Sequence, residues 1–477
     1  MNSNMYKLED ISSIPNSEIL DMYSKHINPA LMGIFKLLGF RDLDVSHAKG
    51  MFIYLHSGRR VLDMTSGLGV LALGHNHPSV IDAEKFCHSN NIIDMQKLGP
   101  NRLQSVLAHN LSQLLPGELD ITTLSVSGAE ANEAAIKLVT RAQQDERKKF
   151  IVIMEGAYHG KTHGALSLTD SEGFGDGFLV GIPKENIIVI PHGDLKTYKK
   201  TIATHTFSNG KNDIIAIFIE PMGGQDLQIP QDGFLSEICQ LSLDNKIYTV
   251  FDEIKVGLGR SGNGNLFCFE KENAIPDVVT ISKALGGGKR AIGAMVTSNK
   301  LFKLAYGSRD DCALHSSTFS GIGESCAVAI STLNHISDKN FLKIVDDKAL
   351  FLKSELVALQ KKYPKYIKSI KGQGLFLGIE FDFGWISKAA SISKNKKFSK
   401  IANGVGIAAI VRRLFKDYDV LCHFSGSNPC VLHLMPPLII SDDEIKIFLN
   451  AMDGMLGKGF ESTLISFISG NFKDLMR

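Results

Sequence analysis

Short apolar runs alternate with helix-patterned stretches through the middle of the chain. The runs are Ile121–Val126, Phe150–Met154, Ile214–Ile219, Ile247–Phe251 and Val278–Ile281, each rich in β-branched or aromatic residues. Ala131, Ala134, Ala135, Leu138 and Ala142 recur between two of them at helical spacing. Continuous apolar strands separated by helices predict a mostly parallel sheet buried on both faces. Toward the ends, Arg59–Val61 and Leu375–Phe381 read as strands. Asp346–Lys361 reads as an amphipathic helix, with acids in its first turn and a lysine at its end, the order the helix dipole favours. Gly384–Gly406, rich in Ser, Lys and Asn, reads as a surface insertion. The expected fold is α/β: a large domain over 99–338 with a mostly parallel central sheet. A smaller α+β domain comes from both chain ends, 1–98 and 339–477.

Polar residues sit just past the C-terminal ends of the five runs. They are Ser127-Gly128-Ala129-Glu130, Glu155 to Gly160, Glu220-Pro221, Asp252-Glu253 and Ser282-Lys283. Ligands of open α/β sheets bind at those ends. Ser127 and Glu130 have the form of a capping box, and the helix they open presents free N–H groups suited to phosphate. A lysine after one strand and an aspartate after another suit either a plain ion pair or a Schiff-base lysine facing an acid that holds a pyridinium nitrogen.

Composition narrows the class. The 477 residues carry 52 Lys+Arg against 50 Asp+Glu, a net charge of +2 that gives no electrostatic reason to expect nucleic acid or an anionic membrane. No apolar run approaches the ~18 residues of a membrane helix. Met1–Ser12 lacks the apolar segment of a signal peptide. The seven cysteines are scattered without a C-x-x-C pair, as expected of reduced thiols in the cytoplasm. His75 and His77 in GHNHP lack a third ligand and read as structural, so no metal is expected. The 44 glycines cluster in short runs, which suggests close backbone approach to a ligand.

The segments SVSGAEANEAAIKL (125–138), GAYHGKTHGALSLT (156–169), IFIEP (217–221), VFDEIKVGLGRSG (250–262), PDVVTISKALGGG (276–288), HSSTFSG (315–321) and MPPLII (435–440) resemble the class III aminotransferases, pyridoxal-phosphate enzymes of fold type I. They span most of the chain in the family's order. The DE-x-x-x-G-x-GR-x-G and SKALGGG pair is the most specific. The resemblance implies that Lys283 forms the Schiff base and moves protons at the substrate carbon. It implies that Asp252 pairs with the pyridine nitrogen and that Ser127, Gly128 and Ala129 cradle the phosphate. Tyr158 would stack on the ring beside His159, and Glu220 would buttress it. Thr318 would reach the phosphate of a neighbouring subunit in a homodimer with shared sites. A small-molecule amino donor and acceptor would be the partners.

Three positions depart from the family pattern. Many members carry an arginine where His433 stands, and an imidazole offers no bidentate grip on a substrate carboxylate. Members that use glutamate often carry a glutamate where Gln225 stands. Together these changes argue against an ornithine- or GABA-type substrate pair. Lys255 replaces a glutamine common near the cofactor's phenolic oxygen. It either holds the cofactor or serves as an extra acid/base. The expected activity is amino transfer between an amine or amino acid and an aldehyde, ketone or keto acid. The alternative is an amino acid racemase or epimerase using Lys255.

Overall fold

The computed structural model describes residues 5–143, 148–170, 173–383, 396–426 and 428–475. Its largest sheet holds β4 (Leu119–Ser125), β5 (Phe150–Met154), β6 (Ile187–Ile190), β7 (Ile214–Ile219), β8 (Tyr248–Asp252), β9 (Val278–Ile281) and β10 (Gly293–Ser298). The order is β4-β10-β9-β8-β7-β5-β6. The β6-β5-β7-β8-β9 pairings are parallel, and β10 runs antiparallel to both of its neighbours. The apolar pattern carries no sign of that reversed strand, because β10 is buried almost throughout, like the parallel strands β7 and β9.

Burial on both faces explains the unbroken apolar runs. Along β5, Ile151 and Ile153 join one core cluster while Val152 and Met154 join another. The same alternation divides Val278 from Val279 and Met295 from Val296, as period-two side chains require. The helix Gly128–Ala142 lays Ala131, Ala134, Ala135, Leu138 and Ala142 against the sheet. Methyl-sized side chains let its axis come close to the strands.

Two smaller sheets flank this layer. One orders β1 (Val45–Lys49), β2 (Phe52–Leu55), β3 (Arg60–Asp63) and β13 (Val420–Leu421), with β3 and β13 parallel. Sequence-distant ends of the chain therefore share one sheet. The other orders β11 (Ile367–Gln373), β12 (Phe376–Phe381), β15 (Val431–Leu434) and β14 (His423–Phe424), all antiparallel. No helix among the described residues is long and apolar enough to cross a membrane.

Two local expectations change. The helix expected from Asp346 starts at Lys339, because the Asp338 carboxylate accepts from the Phe341 N–H at 2.9 Å and caps it. The acids expected in its first turn thus lie deeper in the helix. Residues 384–395 of the expected surface insertion lie outside the described residues. From Lys396 the chain is helical to Tyr418, and Gly406 is buried where a Cβ would meet the Phe383 ring at 2.7 Å. That end of the segment is core, not insertion.

Candidate active site

The C-terminal ends of β7, β8 and β9 open onto a cavity of about 290 Å³. Gly128, Ala129, Tyr158, His159, Glu220, Gln225, Asp252, Lys255 and Lys283 all border it, with Lys161 and Ser282. Strand geometry puts them there. Asp252 ends β8, Glu220 and Lys283 closely follow β7 and β9, and Tyr158 and His159 trail β5. Gly128 opens the helix after β4, and Gln225 and Lys255 lie on the loops after β7 and β8. Thr318 is not among them; it lies on an exposed turn. His433 is on β15, 1% exposed, behind Gln225.

Asp252 is buried and every direction around it is specified. Its Oδ1 accepts from the Ile254 N–H at 3.0 Å. Its Oδ2 meets His159 Nδ1 and Asn132 Nδ2, both at 2.8 Å. Burial alone would depress the His159 imidazolium, but the Asp252 hydrogen bond and charge raise its pKa above the usual histidine value. Asn132 carried no role in the sequence reading. Its amide also donates to the His159 carbonyl at 2.7 Å, and its oxygen accepts from Thr280 at 2.8 Å. The available signal was a polar residue within the alanine-rich buried face of its helix.

Glu220 buttresses two backbone segments. Its Oε2 accepts from the Tyr158 N–H at 3.0 Å and its Oε1 from the Gly224 N–H at 3.1 Å. Burial raises its pKa. Lys283 follows β9 with φ +42°, a left-handed conformation that costs roughly 1–3 kcal/mol in a non-glycine residue. Burial lowers its pKa, and Asp252 and Glu220 only partly oppose that. Lys255 donates to the Gly224 carbonyl, and its ammonium lies 4.7 Å from the Phe376 ring centre. Burial, reinforced by the Lys283 charge, brings its pKa down to about 7.

The helix Gly128–Ala142 is capped by Ser127, which accepts from the Glu130 N–H at 3.2 Å. Glu130 answers at the Val126 N–H, 2.9 Å away, rather than at Ser127. The capping box is therefore displaced by one residue. Gly128 and Ala129 have no carbonyl of their own helix to bond, so their N–H groups are free for an anion. A Cβ on Gly128 would stand 2.8 Å from Ile254, so glycine is needed where this turn crosses the loop after β8. The glycines after Lys283 have another cause. A Cβ on Gly288 would lie 2.2 Å from Leu71, so that run serves packing between chain segments rather than ligand approach.

His433 Nε2 is 2.9 Å from the Gln225 carbonyl oxygen, while its buried Nδ1 has no partner. Burial and the nearby Lys255 charge hold it well below the usual histidine range, so the ring is neutral. Ser425 donates to the Gln225 side chain at 3.4 Å. His75 and His77 have separate structural tasks, one on Asp63 at 3.0 Å and the other on Ser79 at 2.7 Å.

A helix start with free N–H groups, a buried carboxylate, a lysine and a flanking tyrosine fit pyridoxal phosphate. Comparison with known proteins agrees. The class-III aminotransferase model matches residues 39–456, and the chain belongs to that family, whose cofactor is pyridoxal phosphate. It is similar to the aminotransferase PigE of Serratia sp. (strain ATCC 39006), 29% identical over 91% of this chain. The chain spans about half of that relative, 52% of its length. Among solved structures it resembles an (S)-enantioselective omega-transaminase from Thermomicrobium roseum. The TM-score there is 0.78 at 24% identity, over 93% of this chain and 99% of that one. It also resembles a PMP-bound aminotransferase from Vibrio fluvialis, with a TM-score of 0.75 at 22% identity, over 88% and 93% of the two chains. At those identities the structural likeness speaks to the fold.

Proposed function

We propose that the protein is a cytoplasmic pyridoxal-phosphate-dependent aminotransferase whose amino donor or acceptor needs no arginine clamp on its carboxylate. Amines, aldehydes and ketones are the substrates this favours, rather than an ornithine or GABA pair. The observation that carries the reading is His433: neutral, buried and fixed to the Gln225 carbonyl where a guanidinium would grip. Seven free cysteines suit a reducing compartment. Residues 99–338 would form the cofactor-binding domain, and Thr318 would complete a partner's site in a homodimer.

Bound pyridoxal phosphate supplies a protonated pyridine ring that takes up the electron pair left when a proton leaves the substrate carbon. Gly128 and Ala129 bind its phosphate, with Ser127 setting the helix start that aims their N–H groups. Tyr158 would stack on the ring, and Glu220 fixes the Tyr158 backbone. Asp252 would pair with the protonated ring nitrogen, and His159 and Asn132 hold Asp252 in place. Lys283 would move the proton at the substrate carbon. A lysine whose pKa is lowered by burial is suited to that exchange near neutral pH. Lys255 keeps its ammonium on the Gly224 carbonyl and the Phe376 ring. That supports a cofactor-holding role over the delivery of a second proton, and so favours transfer over racemisation.

The test is a donor panel on the holoenzyme: 1-phenylethylamine, benzylamine, ornithine, GABA and glutamate, each with pyruvate. The cofactor's visible band and alanine formation are followed. An amine should exceed the three amino acids in kcat/KM by at least about tenfold. Failure of every donor to form alanine sinks the transaminase reading.

A further inference from the structure

The chain leaves β7 through Glu220 and Pro221 and folds into a turn over residues 223–228. Two backbone hydrogen bonds close it, from the Gly223 N–H to the Gln228 carbonyl and from the Leu227 N–H to the Gly223 carbonyl, both at 2.9 Å. Gly224 and Gln225, at its tip, border the cavity. Leu227 points away from solvent, 2% exposed, and takes φ +52°. That left-handed backbone suits glycine or asparagine and strains a leucine. Such strain persists only where the surroundings hold it, so the contacts of this side chain need an account.

The Leu227 side chain packs into the sheet of β11, β12, β15 and β14, in one apolar cluster with Phe376, Val431 and Met435. On β12 a Cβ at Gly378 would stand 2.9 Å from Leu227 Cδ1. On β11 a Cβ at Gly372 would stand 2.8 Å from Leu227 Cδ2. Two glycines therefore leave the slot that Leu227 fills. Gly378 pairs directly with His433, so the two positions share one face of the sheet. Phe376, two residues earlier on β12, shares it as well. The turn meets that face at two further points. The Gln225 carbonyl oxygen lies 2.9 Å from His433 Nε2, and the Gly224 carbonyl accepts from Lys255, whose ammonium sits over the Phe376 ring.

We propose that Leu227 is a positioning residue: by filling the slot at Gly378 it docks the turn 223–228 on the sheet and sets Gly224 and Gln225 at the border of the cavity. The proposal rests on the aminotransferase reading for its kinetic part. Leu227 is the one apolar residue among 223–228, so it alone gives the turn a hydrophobic anchor. A close-packed slot accepts a side chain at one depth, and that depth fixes the tip two residues away. Lys283 stands after β9 and not on this turn. Loosening the turn should therefore weaken substrate binding more than proton movement.

Two holoenzyme variants separate positioning from packing. The probe is 1-phenylethylamine with pyruvate, and the second readout is hydrogen exchange of the 222–228 backbone. L227A empties the slot and keeps the strained backbone, whereas L227G empties it and relieves the strain. KM for the amine should rise at least about tenfold in both, with kcat within about threefold. Exchange over 222–228 should quicken at least about tenfold in both, with β8 unchanged. L227G should melt no lower than L227A, since glycine suits φ +52°. A KM that recovers in L227G along with the melting temperature would overturn the proposal and leave Leu227 a packing residue. Unchanged exchange over 222–228 would overturn it as well. L227M refills the slot and should bring KM back to within about threefold of wild type. If the smaller variants do not fold, exchange in the wild type decides. Gly223 and Leu227 N–H groups that exchange freely overturn the docking, and protection matching β7 supports it. Failure of wild-type protein to transfer amino groups would sink the aminotransferase reading, yet the exchange comparison would still decide whether Leu227 docks the turn.

Discussion

The carboxylate that borders the cavity and the imidazoles that lie behind Gln225 are built on opposite principles. Around Asp252 each carboxylate oxygen has a named partner: Ile254 on one, His159 and Asn132 on the other. Behind Gln225 the imidazoles of His433 and His423 are neutral, with the Lys255 charge nearby, and their Nδ1 atoms are both buried without hydrogen-bond partners. The first side fixes charge in a set position, which is what stabilising a developing charge requires. The second side avoids fixed charge on the imidazoles, which suits a substrate that brings none. The difference teaches that the strand ends hold fixed, fully partnered charge while the residues behind Gln225 hold uncharged imidazoles.

The sharpest break in that comparison is at Lys283. If the charged side runs the chemistry, Lys283→Ala should cut turnover by on the order of 10³-fold or more, measured as alanine formation from 1-phenylethylamine and pyruvate. The fold should persist, because a partly buried lysine with a depressed pKa contributes no net electrostatic support at neutral pH. A melt within a few degrees of wild type checks this. Retained turnover would show that the lysine is only an ion-pair residue.

Asn132→Leu asks how much of the charged side is orientation. The substitution roughly keeps volume and removes the amide that spans Asp252, the His159 carbonyl and Thr280. Loss of a buried hydrogen bond to a charged group costs roughly 1.5–3 kcal/mol, so about a ten- to hundredfold fall in kcat/KM is expected. A change below about twofold would mean that His159 alone orients the acid.

Legibility in the sequence follows the same division. Gly128, Tyr158, Glu220, Asp252 and Lys283 each directly follow or closely trail an apolar run, so strand periodicity alone brings them to one edge. Asn132 was hidden because it sits on a helix while its partners, Asp252 and Thr280, come from two strands distant in sequence. The imidazole side was hidden for a related reason. It sets Phe376 and His433 on paired antiparallel strands, whose register no local pattern discloses, behind Gln225 from the loop after β7. The reversal of β10 escaped notice because a strand buried on both faces reads the same in either direction.

Lys255 stands between the two sides, and its replacement should have the smallest effect. Its ammonium is held by the Gly224 carbonyl and Phe376, so Lys255→Gln keeps a donor there and should lower amino transfer by less than about fivefold. A racemase that used Lys255 as its acid would instead lose solvent deuterium exchange at the substrate carbon by on the order of a hundredfold or more. The same variant reads out through stability. Burial first, then the Lys283 charge, lowers the Lys255 pKa from 10.5 to about 7. Between those values the unfolded chain holds a proton that the folded chain has released. Stability therefore rises with pH across about 7 to 10.5 and is flat below that window for this group. Glutamine has no proton to lose, so the holoenzyme's melting temperature should climb less steeply with pH in Lys255→Gln than in the wild type. Parallel slopes would mean that Lys255 stays charged in the folded protein. The cavity would then present a full cation to the substrate, and the contrast between the two sides would weaken to one of degree.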